Sequence, residues 1–491
     1  MSAGLSLGID LGTSSVKALL LDDHGRTAAV ASSHHGIDTS VAGVQVDARV
    51  WWDSMLTALT QLARQHPLAD VHAVGFSGNM SAVVLVDAEF DPVAPTLLLP
   101  DLRGREELLA LDPVLVERIT SATGNIPATV FALSSLLWWQ AHDPAVLRRA
   151  RWYLSAKDFL RARLTGAAST DPTDAGNSLL LNAASSDWDH DRVTHLGLPS
   201  RILPPVLSSH AESGRLTEAA AGLTGLPAGI PVATGAGDIA ASLAGMGGLP
   251  ADAVALSLGT SATLMAGLES GRLPVRLRGA LTEHVGTDGA RYAMGSLLTG
   301  GMALNWLRHL TGPEALQAAR DIPDAESPVQ FLPYLTGTGS PDFDHQATGT
   351  ILGITPSTTA AQLVTAALEA ISFDVAALID DLAAGGGRYH HIALSGGGTR
   401  VAAWPQILAD VTGLPIRILV EPDLSAVGAA RLGWQAAGRP AAGATSARAI
   451  TPRAEHQPAW RRRRSRHQVA RRAALALNHQ LHPSENGTPG T

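Results

Sequence analysis

Apolar positions fall first into strand-length runs and then into helical stripes. Leu5 to Asp10 and Val16 to Leu21 are short runs rich in strand-forming side chains, and the Gly-Thr-Ser turn across 11–15 makes them a β-hairpin. Arg26 to Ser33 adds a third strand. Val50 to Gln65 has its apolar residues at helical spacing, and Val71 to Phe76 and Val83 to Asp87 are again β-branched runs. The order β-β-β-α-β predicts a mixed sheet with helices packed on it, an α/β fold. The polar crossing Ser77 to Ala82 lies between two strands, where a binding loop is expected. Helices are expected over Phe131 to His142, Asp158 to Leu164 and Ala240 to Met246. The second half repeats the order, with a hairpin over Val254 to Glu269 and a strand over Ile392 to Ser395. Helices follow over Gly301 to Leu310, Thr358 to Leu382, Val401 to Val411 and Ser425 to Gln435, the last rich in small residues that imply close packing.

The two hairpins share a tetrapeptide at their tips. Leu11-Gly12-Thr13-Ser14 and Leu258-Gly259-Thr260-Ser261 are identical and stand in the same strand–turn–strand context. Turn N–H groups and hydroxyls there can converge on an anion, and the glycine lets a ligand approach the main chain. The recurrence half a chain apart suggests two similar domains facing one phosphate chain. Asp10 closes the first strand with a carboxylate suited to a hard cation, whereas Ser257 or Leu256 stands at the second copy. Only the first hairpin is equipped for a metal. An ordinary polar-tipped surface hairpin is the alternative reading of either copy alone.

At 491 residues the chain has room for two to four domains, and Gly247 to Ala251 is the best joint. A formal charge of −8 argues against nucleic acid as partner. No run of 18 apolar residues and no basic N-terminal segment is present, so neither a membrane span nor a signal peptide is expected. The absence of cysteine excludes disulfides and thiolate catalysis and leaves the compartment open, with the cytoplasm as the default. Lys17 and Lys157 are the only lysines beside 34 arginines, which points to sites where a compact charge matters.

Gly235-x-Gly237-x-x-Ala240 imitates a dinucleotide fingerprint, but the next strand starts almost at once and Asp252 precedes it rather than ending it. Asp238 is then either a working carboxylate with room for a ligand beside it or a helix cap. Gly396-Gly397-Gly398 fits a backbone platform for a flat or anionic group and equally a tight turn. The absence of a Gly-x4-Gly-Lys-Ser/Thr loop excludes a P-loop kinase. Arg461 to Arg464, with Arg466 and Arg471-Arg472, reads as the solvated face of a C-terminal helix. His34-His35 and His390-His391 lack zinc-ligand spacing.

Nearly end to end, these segments resemble the FGGY carbohydrate kinases of the sugar kinase, Hsp70 and actin superfamily, most closely the xylulokinase branch. The resemblance is carried by GIDLGTSSVKALLLD (Gly8 to Asp22), AKDFLRARLTG (Ala156 to Gly166), GAGDIAAS (Gly235 to Ser242) and LSLGTSA (Leu256 to Ala262). It continues through FLPYLTG (Phe331 to Gly337), Gly349 to Phe373, SGGGTR (Ser395 to Arg400) and SAVGAARLG (Ser425 to Gly433). It implies two actin-like, ribonuclease H-like α/β domains with a central cleft for nucleotide and sugar. These are 1–248 for sugar and phosphate and 249–485 for nucleotide, with a polar tail at 486–491. ATP and Mg2+ are the implied cofactors, with closure of the domains on a sugar or polyol and a homodimer compatible with the resemblance. Asp238 is then the general base and Asp10 the metal-organising carboxylate. Gly12, Thr13, Ser14 and Lys17, with Gly259 and Thr260, surround the β- and γ-phosphates. Gly301, Asn305, Gly397 and Gly398 line the adenosine site, and Met80 and Ser81 join Asp238 at the sugar.

Departures from the xylulokinase pattern concentrate in the parts that read the sugar. Ser81 replaces a histidine, Ile239 an asparagine, and Gly337-Thr338-Gly339-Ser340-Pro341 a segment with two charges. Leu99-Pro100-Asp101 replaces Trp-Asn-Asp, and Ser135 the lysine of the signature helix. The expectation is an ATP-dependent kinase of a ketose or polyol for which D-xylulose is a poor substrate, unless Asp101 and Arg103 refill the site. The alternatives are a kinase of another sugar and a non-catalytic ATP- and sugar-binding protein.

Overall fold

The computed structural model describes residues 4–39, 43–99, 101–182, 185–322, 327–421, 423–440 and 446–481. Two compact units form: Met1–Gly248 with His284–Arg291 and Asp423–Thr445, and Leu249–Glu283 with Tyr292–Pro422 and Ser446–Thr491. The units change over between Gly248 and Leu249, and 284–291 and 423–440 are grouped with the first of them. The tail 486–491 lies outside the described residues.

The first unit is built on a sheet ordered Glu212–Arg215, Pro231–Ala233, Val71–Gly78, Leu5–Leu11, Ser15–Asp22, Thr27–His34. Leu5–Leu11 runs antiparallel to its hairpin partner and parallel to Val71–Gly78. In the second unit Arg291–Leu297, Ala262–Gly267, Ala253–Leu258, His391–Ser395 and Ile416–Leu419 follow the same plan: a meander, then parallel crossovers. The expected repeat of strand order is present, with one difference at the tips. Leu11 faces Val16, but Leu258 faces Ala262, so the second turn is one residue shorter.

The run at 83–87 does not join the main sheet. Val84–Val86 pairs with Trp152–Leu154 in a small separate sheet, with Leu85 and Tyr153 in an apolar cluster with Phe131, Leu136 and Leu181, and Val84, Val86 and Leu154 in the core of the main sheet. The next strand of the main sheet along the chain is Glu212–Arg215, so 79–211 forms a large insertion. A hydrophobic run states only that a strand is buried, and its partner is set by the chain that returns to it.

Helix Leu424–Ala436 explains the small-residue pattern around it. It lies against the first unit's sheet on one side and helix Asp238–Met246 on the other. A Cβ on Gly8 would meet the Ala426 carbonyl oxygen at 2.0 Å, and one on Gly75 the Ala429 oxygen at 1.8 Å. A Cβ on Gly428 would stand 1.8 Å from the Ala241 oxygen, and one on Gly245 2.0 Å from the Leu424 oxygen. Backbone meets backbone at four glycines, a spacing that any side chain forbids.

In the second unit, helix Ala360–Ala384 is long and apolar enough by itself to cross a membrane, yet 78% of its apolar window is buried as a core helix. The arginine-rich helix Gln457–Leu481 docks on that unit, and its charges are not simply solvated. Arg463 is buried and pairs with Glu369, Arg464 Nη1 meets Asp380 Oδ2 at 2.7 Å, and Arg471 Nε donates to the Tyr334 hydroxyl at 2.9 Å. Arg461, Arg462 and Arg472 do face solvent. Asn478, near the end of that helix, is buried and bonded to Thr348.

The glycine contacts yield a direct test. Gly428→Ala is expected to lower unfolding free energy by more than about 3 kcal/mol in urea titration, since neither backbone can retreat. Gly222→Ala, in helix Glu218–Thr224 with nothing within 4 Å of the new Cβ, should instead stabilise by roughly 0.5–1 kcal/mol.

Candidate active site

Three strand and turn ends converge in the first unit. Asp10 stands one residue from the end of Leu5–Leu11, where alternation has already buried Ile9 and Leu11 completely. Its partner across the parallel pairing is Ser77, and Ala236 pairs with the same Ser77 from the other side. Gly235 (φ +83°) makes that approach possible, because a Cβ there would lie 2.5 Å from the Phe76 carbonyl oxygen. Three residues after Gly235, Asp238 opens helix Asp238–Met246. The dinucleotide-like glycines thus bring a carboxylate beside Asp10.

Both Asp10 oxygens are held by serine hydroxyls. Ser77 Oγ donates to Oδ1 at 2.7 Å, and Ser425 Oγ, from the start of the wedged helix, donates to Oδ2 at 2.6 Å. Asp238 is half-buried and accepts the Ile239 amide at 2.8 Å. Burial, then the charge of Asp10, pushes its pKa up to about 7 despite that hydrogen bond. A carboxylate that titrates near neutrality can take a proton at working pH and release it again.

Among the described residues no three His, Cys, Asp or Glu side chains form a ready metal cage. A single oriented carboxylate suits Mg2+, which keeps several waters and is carried largely by phosphates, so the residues present fit that ion. Thr13 and Ser14 are exposed at the hairpin tip, with Gly12 half-exposed. Lys17 departs from expectation: its ammonium is paired with Asp423 just ahead of the wedged helix. His35, set aside for lack of zinc spacing, rests against the tip, with Nε2 3.1 Å from the Thr13 carbonyl oxygen.

In the second unit, six predicted residues line one cavity of about 630 Å³: Gly259, Thr260, Gly301, Asn305, Gly397 and Gly398. The Gly301 amide donates to the Gly259 carbonyl at 2.8 Å, tying helix Gly301–Thr311 to the hairpin tip. Gly396 (φ +91°) completes the wall by passing within contact of the Leu258 backbone.

The sugar loop is placed less as expected. Met80 packs against Gly237 beside Asp238. Ser81 turns inward at φ +66°, donating to the Val130 carbonyl at 2.6 Å and accepting from Asn177 Nδ2 at 2.6 Å. Its one proton is committed inside the protein. Asp101 is buried under Arg103, which grips it through Nε and Nη2 at 2.9 and 2.7 Å, and also accepts the Val44 amide at 2.8 Å. These two charges satisfy each other. Pro100 lies outside the described residues.

Lys157 is the feature whose surroundings sequence reasoning missed. It is fully buried with Nζ 2.7 Å from Asp158 Oδ1, 3.1 Å from Asp171 Oδ1 and 3.0 Å from Asp174 Oδ2. Arg161 Nη1 lies 2.5 Å from the same Asp158 oxygen. Burial opposes the Lys157 charge, but the three carboxylates overcome it and hold the pKa above the usual lysine value. Burial raises the Asp174 pKa to about 6 against the pull of Lys157. The rarity of lysine was the available signal.

A duplicated meander-and-crossover sheet, a carboxylate pair at a strand end and a helix start, and two glycine-tipped hairpins define a sugar-phosphorylating enzyme of the actin-like class. Residues 5–245 match the N-terminal domain of the FGGY family of carbohydrate kinases, and residues 254–437 match its C-terminal domain. The chain belongs to that family. It is 32% identical over 437 residues to a xylulose kinase of Escherichia coli (strain K12), covering 88% of this chain and 90% of that one. A xylulose kinase of Klebsiella pneumoniae is 33% identical over 435 residues, 87% of this chain and 89% of that one. A crystal structure of a xyloylose kinase from Brucella ovis superposes with a TM-score of 0.88 at 29% identity, covering 96% of this chain and all of that one. The protein is thus a carbohydrate kinase, and it phosphorylates its substrate at the expense of ATP.

The buried cluster predicts its own stability signature. Lys157→Met leaves three carboxylates with Arg161 alone and is expected to cost about 3–5 kcal/mol of unfolding free energy. The loss should be larger at pH 8 than at pH 5.5, because Asp174 sits at about 6 only with Lys157 pulling it down, and in the variant it holds its proton to higher pH, so stability keeps falling where the wild type has levelled off. Urea titrations at the two pH values check it.

Proposed function

We propose that the enzyme transfers the γ-phosphoryl group of ATP to a hydroxyl of a ketose or polyol, with Asp238 as general base. The carrying observation is the Asp238 carboxylate: half-buried, beside Asp10, with its proton affinity raised into the neutral range. The substrate oxygen attacks the γ-phosphorus and its proton passes to Asp238. The bond from that phosphorus to the β–γ bridging oxygen breaks, and ADP leaves with the electron pair. Positioning and charge neutralisation carry most of the barrier reduction in such a step. Gly12, Thr13 and Ser14, with Gly259 and Thr260, hold the terminal phosphates in this reading, and Gly301, Asn305, Gly397 and Gly398 hold adenosine. Lys17 reaches a phosphate only by leaving Asp423. Asp10 would hold Mg2+, which when bound neutralises phosphate charge. The dependence on ATP is consistent with a cytoplasmic setting.

The sugar-reading positions favour a substrate other than D-xylulose. Ser81 has no free proton for a sugar hydroxyl, Ile239 has no side-chain amide, and Asp101 and Arg103 are closed on each other. A hydroxyl buried without a partner loses roughly 1–3 kcal/mol, so two such losses weaken recognition by about 2–6 kcal/mol. The resemblance to the xylulose kinases of E. coli and K. pneumoniae supports D-xylulose as the second reading.

Coupled ADP release over pentuloses, hexuloses, pentitols and glycerol decides the substrate. The expected best substrate exceeds D-xylulose by 30-fold or more in kcat/KM, and parity within a few-fold returns the assignment to D-xylulose. With that substrate, Asp238→Asn should lower kcat by about 10²- to 10⁴-fold while ATP binding by calorimetry persists. Because the base works only when ionised, wild-type kcat/KM should fall as pH drops below about 7, approaching tenfold per unit. A limb near 4, with full turnover in the Asn variant, would remove Asp238 from the chemistry.

A further inference from the structure

The turn leading into Asp238 is held through its backbone: the Thr234 and Gly235 amides donate to the Ala211 and Ser209 carbonyls at 2.9 Å each, and Ala236 and Gly237 pair with Ser77 and Gly78. Residues 234–237 read Thr-Gly-Ala-Gly, so between 235 and 237 no side chain longer than a methyl adds to those backbone contacts. Two hydrogen bonds from one buried cluster restrain it at both ends. Arg161 Nη1 donates to the Thr234 carbonyl at 2.7 Å, and the Gly237 amide donates to Thr173 Oγ1 at 2.8 Å. Thr173 donates its own proton to Asp171 Oδ2 at 2.8 Å, and Ser209 Oγ donates to the same oxygen at 2.6 Å. The other Asp171 oxygen faces Lys157 Nζ at 3.1 Å. Asp171 also caps helix Pro172–Gly176, accepting the Thr173 and Asp174 amides, so it orients Thr173 from backbone and side chain together. An unbroken path runs from the buried lysine to the amide of the residue bonded to Asp238.

We infer that Thr173 is a positioning residue for phosphoryl transfer, fixing the backbone of Asp238 to the buried cluster that Lys157 organises. The inference rests on Asp238 being the general base. Thr173 is itself buried and acts without contact to substrate, through the Gly237 amide. A base displaced by about 1 Å from its reacting hydroxyl can cost on the order of 100-fold in rate, and nothing else along 235–237 has a side chain longer than a methyl. The cluster therefore does two separate things: Lys157 neutralises carboxylates, and Thr173 transmits their rigidity to the site.

Thr173→Val keeps the shape and removes the hydroxyl, and Thr173→Ser keeps the hydroxyl. Both are measured with ATP and the fastest of the screened pentuloses, hexuloses, pentitols or glycerol. Ser209→Ala, which relieves Asp171 of a donor without touching Gly237, and Asp238→Asn are assayed beside them. The expected result is a 10- to 100-fold lower kcat in Thr173→Val with KM for ATP within twofold, recovery to within threefold in Thr173→Ser, and unchanged kcat in Ser209→Ala. If Thr173→Val does not fold, Thr173→Ala is expected to show the same split. Normal kcat in Thr173→Val beside an inactive Asp238→Asn overturns the inference alone, as does a loss that Thr173→Ser fails to restore. Full activity in Asp238→Asn overturns the base assignment on which it depends.

Discussion

The contact of helix Leu424–Ala436 with bare backbone is the constraint on which the first unit depends. Gly8 and Gly75 let the helix touch two central strands, and Gly428 and Gly245 let helix Asp238–Met246 touch it from the other side. The three-layer seam therefore sets the height of Asp10 at a strand end, Ser425 at one helix start and Asp238 at another. Rigid elements hold catalytic groups more accurately than loops do. Here every reactive oxygen sits within a residue or two of an element that the glycines lock.

Electrostatics divides the same region into two zones. Around Asp10 and Asp238 two carboxylates face each other with only serine hydroxyls and a backbone amide for relief, so one of them titrates near neutrality. A few residues away Lys157 and Arg161 meet three carboxylates with no exposure, and Asp158 is driven down to about 2 by those two cations against its burial. The first zone leaves a proton acceptor available, and the second is neutralised and stiff. A reaction needs the former, and its geometry needs the latter.

The sugar pocket shows how substitution and fold interact. Ser81 could have been a shorter sugar ligand in place of histidine, but a left-handed backbone aims it at Val130 and Asn177. Asp101 and Arg103 could have supplied new polar contacts, but their mutual ion pair is closed and lies over Trp138. The nucleotide-facing turns keep their glycines and hydroxyls while the sugar-facing positions are occupied with internal bonds. On the proposed assignment, affinity for the phosphate donor and choice of acceptor fall to different residues.

Much of this was legible in the chain itself. Alternation and turn chemistry are local, so both hairpins and the duplicated strand order followed from residues close in sequence, whereas Asp238 as the base came only from the family resemblance. Asp238 lay open between a cap and a base because those readings differ only in what surrounds it. Tertiary structure decided everything that depends on distant chain returning. It sent Val84–Val86 to a separate sheet, grouped 423–440 with the first unit, closed Lys17 on Asp423, buried Arg463 against Glu369 and placed Thr173 under Gly237. Charge and small size are written in a sequence, but the partner that satisfies a charge or fills the space beside a glycine is chosen only when remote segments are packed together.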